Sequence, residues 1–167
     1  MIQKQVLSPH FCLDEFTKSS TAIKHGIQNN PPQEAVENLK RLCQGSLEPL
    51  CEELGLPVVI TSGFRTKTLN DLLAHSSERS QHMQGQAADF YVAPGQSGLS
   101  RRELLIKAFR LIITSEQIDY DQLILYPSFI HVSYVSRERN RRSILLGMRN
   151  GKLGYGKCSV QNALKIQ

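Results

Sequence analysis

No apolar stretch in this chain approaches the roughly 18 residues that a helix needs to cross a bilayer, so no transmembrane helix and no membrane partner are expected. The first ten residues, Met1 to His10, lack the apolar centre of a secretory signal. That sets the expectation of a protein made and kept in the cytoplasm unless a dedicated lysis or export system releases it. Cysteine is sparse: Cys12, Cys43, Cys51 and Cys158 form neither a Cys-x-x-Cys pair nor a disulfide framework. Cys43 and Cys51 fall in one helical segment at a rise of about 12 Å, beyond the reach of a disulfide. All four are expected as free thiols, none of them on a metal. Tryptophan is absent, and the basic run Arg137-Glu138-Arg139-Asn140-Arg141-Arg142 has no aromatic residue interleaved, which argues against a nucleic-acid groove. The run reads as a solvated hairpin turn.

What the chain does have is a basic surplus and enough apolar material for a core. Its 167 residues are 40% hydrophobic with a formal net charge of +5, which fits one domain over 1–167 and an anionic partner. Cys12 to Thr17 reads as one helical turn whose Leu13 and Phe16 dock on the body. After Pro31-Pro32, the residues Val36, Leu39, Cys43, Leu47, Leu50 and Leu54 recur at steps of three and four. This period predicts an amphipathic helix that Gly45 and Pro49 bend or interrupt and Gly55 ends. Pro57 to Thr61 predicts a short buried strand, and Thr66 to Ala74 a helix with Leu69, Leu72 and Leu73 inward. His75 reads as an exposed loop residue. Ser100-Arg101-Arg102-Glu103 has capping-box spacing and opens a scaffold helix.

Two further strands carry the chemistry. In Ala87 to Val92, parity puts Ala88, Phe90 and Val92 on one face and Ala87, Asp89 and Tyr91 on the other. In Phe129 to Tyr134 it puts Ile130, Val132 and Tyr134 on one face and Phe129, His131 and Ser133 on the other. If the strands neighbour each other, Asp89 and His131 project from one face at ladder spacing. His82 lies seven positions before Asp89, about 23 Å away if extended, so the chain must fold back for both to reach one ion. Gly85 permits that turn. His82, Asp89 and His131 would then form a three-ligand zinc set with an open fourth position. The alternative is a loop histidine, a capping or ion-paired aspartate and a core histidine.

Phe129 to Val135 is expected to pair as a hairpin with Ser143 to Met148 across the arginine-rich turn. The Gly-rich basic tail, 149–167, is expected to be irregular or to cover a sheet edge. The fold class is therefore α+β, a mainly antiparallel central sheet with helices packed on one face and the site on the other.

The pattern Ser-x-His-x-x-Gly-x-Ala-x-Asp, formed by Ser80, His82, Gly85, Ala87 and Asp89, resembles the signature of the zinc D-alanyl-D-alanine peptidases, a family that includes phage endolysins. Ile60-Thr61-Ser62-Gly63-Phe64-Arg65-Thr66 with Asn70, and Asp121-Gln122-Leu123-Ile124 followed by Ile130-His131-Val132-Ser133, resemble two further elements of that family in the same order. The resemblance covers roughly residues 9 to 147. It implies a fold like that of the hedgehog signalling domain and the DD-peptidases, Zn²⁺ as cofactor on His82, Asp89 and His131, and peptidoglycan peptides as partner. It further implies cleavage as a D-Ala-D-Ala carboxypeptidase or an L-Ala-D-Glu-type endopeptidase, with Arg65 and Ser80 in substrate binding.

The chain departs from the family at the general base. A glutamate commonly stands three positions before the last histidine, and here that residue is Ser128. A histidine two before is another arrangement, and here that residue is Phe129. Tyr126, Glu116, Asp119 and Asp121 lie near, with Tyr126 the candidate put forward. Two readings follow: a zinc peptidase whose base lies elsewhere, and a zinc-containing module that binds cell-wall peptides or a protein partner without cutting.

Overall fold

The computed structural model describes residues 5–74, 76–149 and 152–166. His75 lies outside them. Two short strands, β1 (Val6–Ser8) and β2 (Phe11–Cys12), pair antiparallel ahead of α1 (Leu13–Thr17) and α2 (Ser20–Lys24). Phe16 of α1 is fully buried and Leu13 packs on the core. Next come α3 (Gln33–Leu42), one π-helical turn (Cys43–Leu47) and α4 (Glu48–Leu54). The interruption has a covalent cause: Pro49 has no N–H to give the carbonyl of Gly45 four residues earlier. The Asp119 N–H donates to that carbonyl instead, at 2.9 Å. The expected break thus becomes a tie between the helix and the approach to the sheet. Gly55 caps α4 in the left-handed region, φ 62°.

The rest of the chain runs β3 (Val58–Ser62), α5 (Lys67–Leu72), a 3-10 turn (Gln81–Gln84), β4 (Ala87–Val92), α6 (Arg101–Thr114), β5 (Gln122–Leu125), β6 (Ile130–Ser133), β7 (Ser143–Arg149), β8 (Lys152–Lys157) and α7 (Val160–Ala163). Six strands form one sheet in the order β3-β4-β6-β5-β7-β8. The buried side chains of one sheet face, among them Phe90, Val92, Leu123, Leu125, Ile130 and Val132, join those of α3, α4 and α6 in one core. The architecture is α+β. Ser100 and Glu103 form the expected capping box of α6.

Three sequence expectations need correction. The sheet is mixed, because β7 does not pair with β6: it lies parallel to β5. Both edges of β6 are already taken, one by β4 and one by β5. The chain leaves β6 at Ser133, opposite Gln122, and starts β7 at Ser143, opposite the same Gln122 from the other side. Residues 134–142 therefore cross the end of β5 and return β7 antiparallel to β6, which leaves it parallel to β5. The arginine-rich run is that crossover. It is held down by ion pairs from Arg141 to Asp121 and from Arg142 to Asp119, both aspartates being buried.

Second, β3 is an edge strand and only half-buried. Third, the inward positions of α5 are Leu69 and Asn70, the latter donating to the Ser77 carbonyl at 3.0 Å, and Leu72 is exposed. Within 149–167, β8 covers the edge of β7 and Ala163 of α7 is buried.

Among the described residues all four cysteines are free. Burial pushes the thiols of Cys43 and Cys51 up, that of Cys51 to about 11, so neither is a ready thiolate.

The N-terminal strand pair is fastened to α4 by the buried Glu48 carboxylate. It accepts from the Ser8 hydroxyl at 2.6 Å and from the His10 N–H at 3.2 Å, and it also contacts His10 Nδ1. Burial pushes this carboxyl up, and the bonds from Ser8 and His10 outweigh it, so Glu48 sits below the usual glutamate range. A lowered folded-state pKa stabilises the fold above the unfolded value of about 4.3 and stops doing so as pH falls through the folded value. Glu48→Gln is expected to lose about 1 to 2 kcal/mol at pH 7. Urea unfolding should show the gap to the parent protein closing as pH is lowered below about 4; a gap unchanged at acid pH would remove Glu48 from this role.

Candidate metal centre

His82 sits in the 3-10 turn, which ends at Gly85 in the left-handed region, φ 68°. Gly85 N–H donates to the His82 carbonyl at 3.2 Å and Gln86 N–H to the Gln81 carbonyl at 3.0 Å. These bonds reverse the chain, which is what brings His82 back over the start of β4. The turn is also pinned from outside, since Asn38 Nδ2 donates to the Gln84 carbonyl at 2.9 Å.

Asp89 and His131 are direct cross-strand partners on β4 and β6. Their side chains emerge on the sheet face opposite the core, as alternation requires. His131 Nδ1 lies 2.8 Å from Asp89 Oδ1 and 3.3 Å from His82 Nε2, and His82 Nε2 lies 3.4 Å from Asp89 Oδ1. One donor atom from each residue falls within 4.8 Å of the others.

Two of the three side chains have their other polar atom engaged away from this point. His82 Nδ1 is 2.7 Å from the carbonyl of Gly63, which can only accept. Nδ1 therefore carries the proton, and the lone pair of Nε2 faces the cluster. Asp89 Oδ2 accepts from Arg65 Nη2 at 3.1 Å, leaving Oδ1 inward. Burial pushes the His82 imidazole pKa down, keeping it neutral as a ligand must be. Burial would raise the Asp89 carboxyl, but the two imidazoles more than reverse that and hold it far below the usual carboxylate range.

The donor set fits a tetrahedral zinc. Four ligands at about 2.0 to 2.2 Å stand about 3.3 to 3.6 Å from one another, and the two separations involving His82 Nε2 match that; the 2.8 Å contact of His131 with Asp89 is a hydrogen-bond distance. These residues could hold a divalent cation and leave room for a further ligand.

The cluster opens into a cavity of about 950 Å³ whose lining includes Arg65, Ser80, Gln81, Asp121, Tyr126 and Phe129. Arg65 and Ser80 thus both line this cavity beside the cluster. Arg65 Nε donates to Ser62 Oγ at 3.1 Å, so with the Asp89 bond two of its five N–H groups are engaged. Ser128 is exposed in the turn between β5 and β6 and does not line the cavity. Neither do Glu116 and Asp119. Tyr126 does, its ring stacked on Phe129 at 4.3 Å between centroids. Asp121 also does, but both of its oxygens are held by Arg141, at 2.8 and 2.5 Å. Burial raises this carboxyl and Arg141 more than offsets it, leaving Asp121 below the usual range and a poor carrier of protons.

Sequence reasoning missed Gly63, Gln81 and Arg141 as parts of this centre. The first acts through a backbone carbonyl, which no side-chain motif reveals. Gln81 Nε2 donates to Asp121 Oδ2 at 2.9 Å across 40 residues of chain, and its one local signal was adjacency to His82.

No curated protein matches this chain. The Peptidase M15 family model matches residues 9–133, a span that contains the whole centre from Arg65 to His131, and the chain belongs to that family.

Proposed function

We propose that this protein hydrolyses amide bonds of peptidoglycan stem peptides with a zinc ion held by His82, Asp89 and His131. The observation that carries the reading is the convergence of those three donor atoms at the floor of a cavity that a guanidinium also lines. When bound, zinc supplies Lewis-acid polarisation of the scissile carbonyl and an acidified water. The chain's own residues supply the rest. Gly63 and Arg65 hold the ligands in orientation through His82 Nδ1 and Asp89 Oδ2. The free N–H groups of Arg65 bind the substrate carboxylate or carbonyl, a task suited to a planar fork of donors. Ser80 contributes a hydroxyl on the same wall. Tyr126, which lines the cavity, is proposed to pass its phenolic proton to the departing amine and to recover one from solvent, which also takes up the proton released by the attacking water.

A second reading is favoured by one observation: the family's usual base position is Ser128, outside the cavity. It makes the protein a zinc-containing binder of cell-wall peptides. Incubating the zinc-loaded protein with purified peptidoglycan and synthetic stem peptides separates the two. New amine termini are expected; peptide binding without them would leave the binder.

Measured in excess zinc, Arg65→Ala is expected to weaken stem-peptide affinity by about 1.5 to 3 kcal/mol, the range for bonds to charged groups, and its loss as the partner of Asp89 Oδ2 to lower zinc affinity by about 10- to 100-fold. Titration calorimetry beside elemental analysis checks both, and an unchanged peptide affinity would remove Arg65 from the substrate site.

A further inference from the structure

The crossover between β6 and β7 carries four arginines, and they do not behave alike. Arg137 is exposed and Arg142 is paired with Asp119; neither lines the cavity. Arg139 and Arg141 do, alongside Arg65 and Arg79. Arg141 is fixed in place. Its Nε and Nη2 take the two oxygens of buried Asp121 as a fork, Nη2 also reaches Gln81 Oε1 at 3.3 Å, and its backbone N–H donates to Asp121 Oδ1 at 2.8 Å. Its side chain nonetheless stays 58% exposed, with the two N–H groups of Nη1 uncommitted. Arg139 is exposed and has no ion-pair partner among the described residues. Four guanidiniums thus line the cavity against two carboxylates, Asp89 and Asp121, and each carboxylate is already paired. The excess of two positive charges stands before any cation is added, and a concave site concentrates it.

We propose that Arg139 and Arg141 form a second anion-reading arm of the cavity, selecting peptides that carry a free carboxylate in addition to the group held at Arg65. The inference rests on the stem-peptide reading and specifies the charge such a substrate must bring. Arg141 is the rigid half, pre-oriented by Asp121 and Gln81, and Arg139 the adaptable half. The cavity, near the upper end of the usual range for ligand sites, accommodates a peptide that extends past the metal centre to reach them.

The test uses zinc-loaded protein and two synthetic stem tetrapeptides, identical except that the α-carboxyl of the D-glutamate is free in one and amidated in the other. Affinities are measured by titration calorimetry for the parent protein, Arg139→Gln and Arg141→Gln. The parent is expected to prefer the free acid about tenfold, the preference shrinking as salt is added. Narrowing of that ratio to about threefold or less in either variant supports the arm. A parent ratio near one, or a ratio that the folded variants leave intact, overturns it. Arg141→Gln strands a buried carboxylate; if it does not fold, Arg139→Gln decides alone, since it breaks no ion pair. Equal binding of the two peptides removes only this arm, whereas binding of neither removes the stem-peptide reading as well.

Discussion

Asp89→Ala is expected to strip the protein of zinc and to lower stem-peptide hydrolysis by about 10³-fold or more, the Lewis-acid contribution being worth several kcal/mol. Asp89 touches both other members of the donor set and Arg65 as well. One oxygen faces both imidazoles, at 2.8 and 3.4 Å, and the other takes Arg65 at 3.1 Å. Outer-shell losses already cost 10- to 100-fold in metal affinity, so removal of a ligand should exceed about 10²-fold. The substitution also leaves the Arg65 guanidinium, 14% exposed, without its counter-charge. An orphaned buried charge costs about 3 kcal/mol or more. Asp89→Asn keeps the volume and separates the two effects: its neutral amide is a poor zinc ligand yet still offers Arg65 an acceptor. It is expected to lose zinc as fully as Asp89→Ala and to lose less stability. Elemental analysis with urea unfolding reads both. Full zinc in Asp89→Ala would mean the ion is held elsewhere.

How far the sequence foretold this centre depends on whether a local period encoded each part. Asp89 and His131 were legible because strand alternation assigns faces without coordinates, and the pairing of β4 with β6 sets the two directly opposite. The interruption at Gly45 and Pro49 was legible from the missing N–H alone. The partner of β7 was not. Which strand it joins depends on which edge is left open, and β6 had no edge to offer. The misreading of β3 as buried has the same origin, since an apolar run does not reveal whether its strand lies at the margin of a sheet. The bonds of Arg141 to Asp121 and Gln81 span 20 and 60 residues, and no spacing rule links such positions. The arginine-rich run therefore looked like a solvated turn, although half of its arginines line the cavity. The general base illustrates a different limit: its absence from Ser128 was visible in the chain, while the burial and pairing that disqualify Asp121 required the fold.

Gly85→Ala is expected to cost about 2 to 5 kcal/mol, and to weaken zinc binding even though the residue contributes no donor atom to the cluster. Gly85 sits at φ 68°, where a Cβ carries a penalty of about 1 to 2 kcal/mol. Space is the larger obstacle. A methyl group there would stand 2.2 Å from the Ala35 carbonyl oxygen and 2.9 Å from its carbon, both backbone atoms of α3. Overpacking against atoms that cannot rotate away adds about 1 to 3 kcal/mol. Either α3 or the 3-10 turn must give, and the turn is the shorter element, four residues against ten. Its displacement moves His82 relative to Asp89 and His131, so the penalty at a glycine is transmitted to the donor set. Gly26→Ala supplies the comparison: φ is 63°, and nothing lies within 4 Å of the added carbon. It should show the conformational penalty alone, about 1 to 2 kcal/mol. In urea unfolding the Gly85 variant should fall below the Gly26 variant by about 2 kcal/mol, with a midpoint temperature lower by several degrees, and only the Gly85 variant should lose zinc affinity. If the two variants behave alike, α3 yields at no cost, and the close approach of its backbone is not what holds the His82 turn in place.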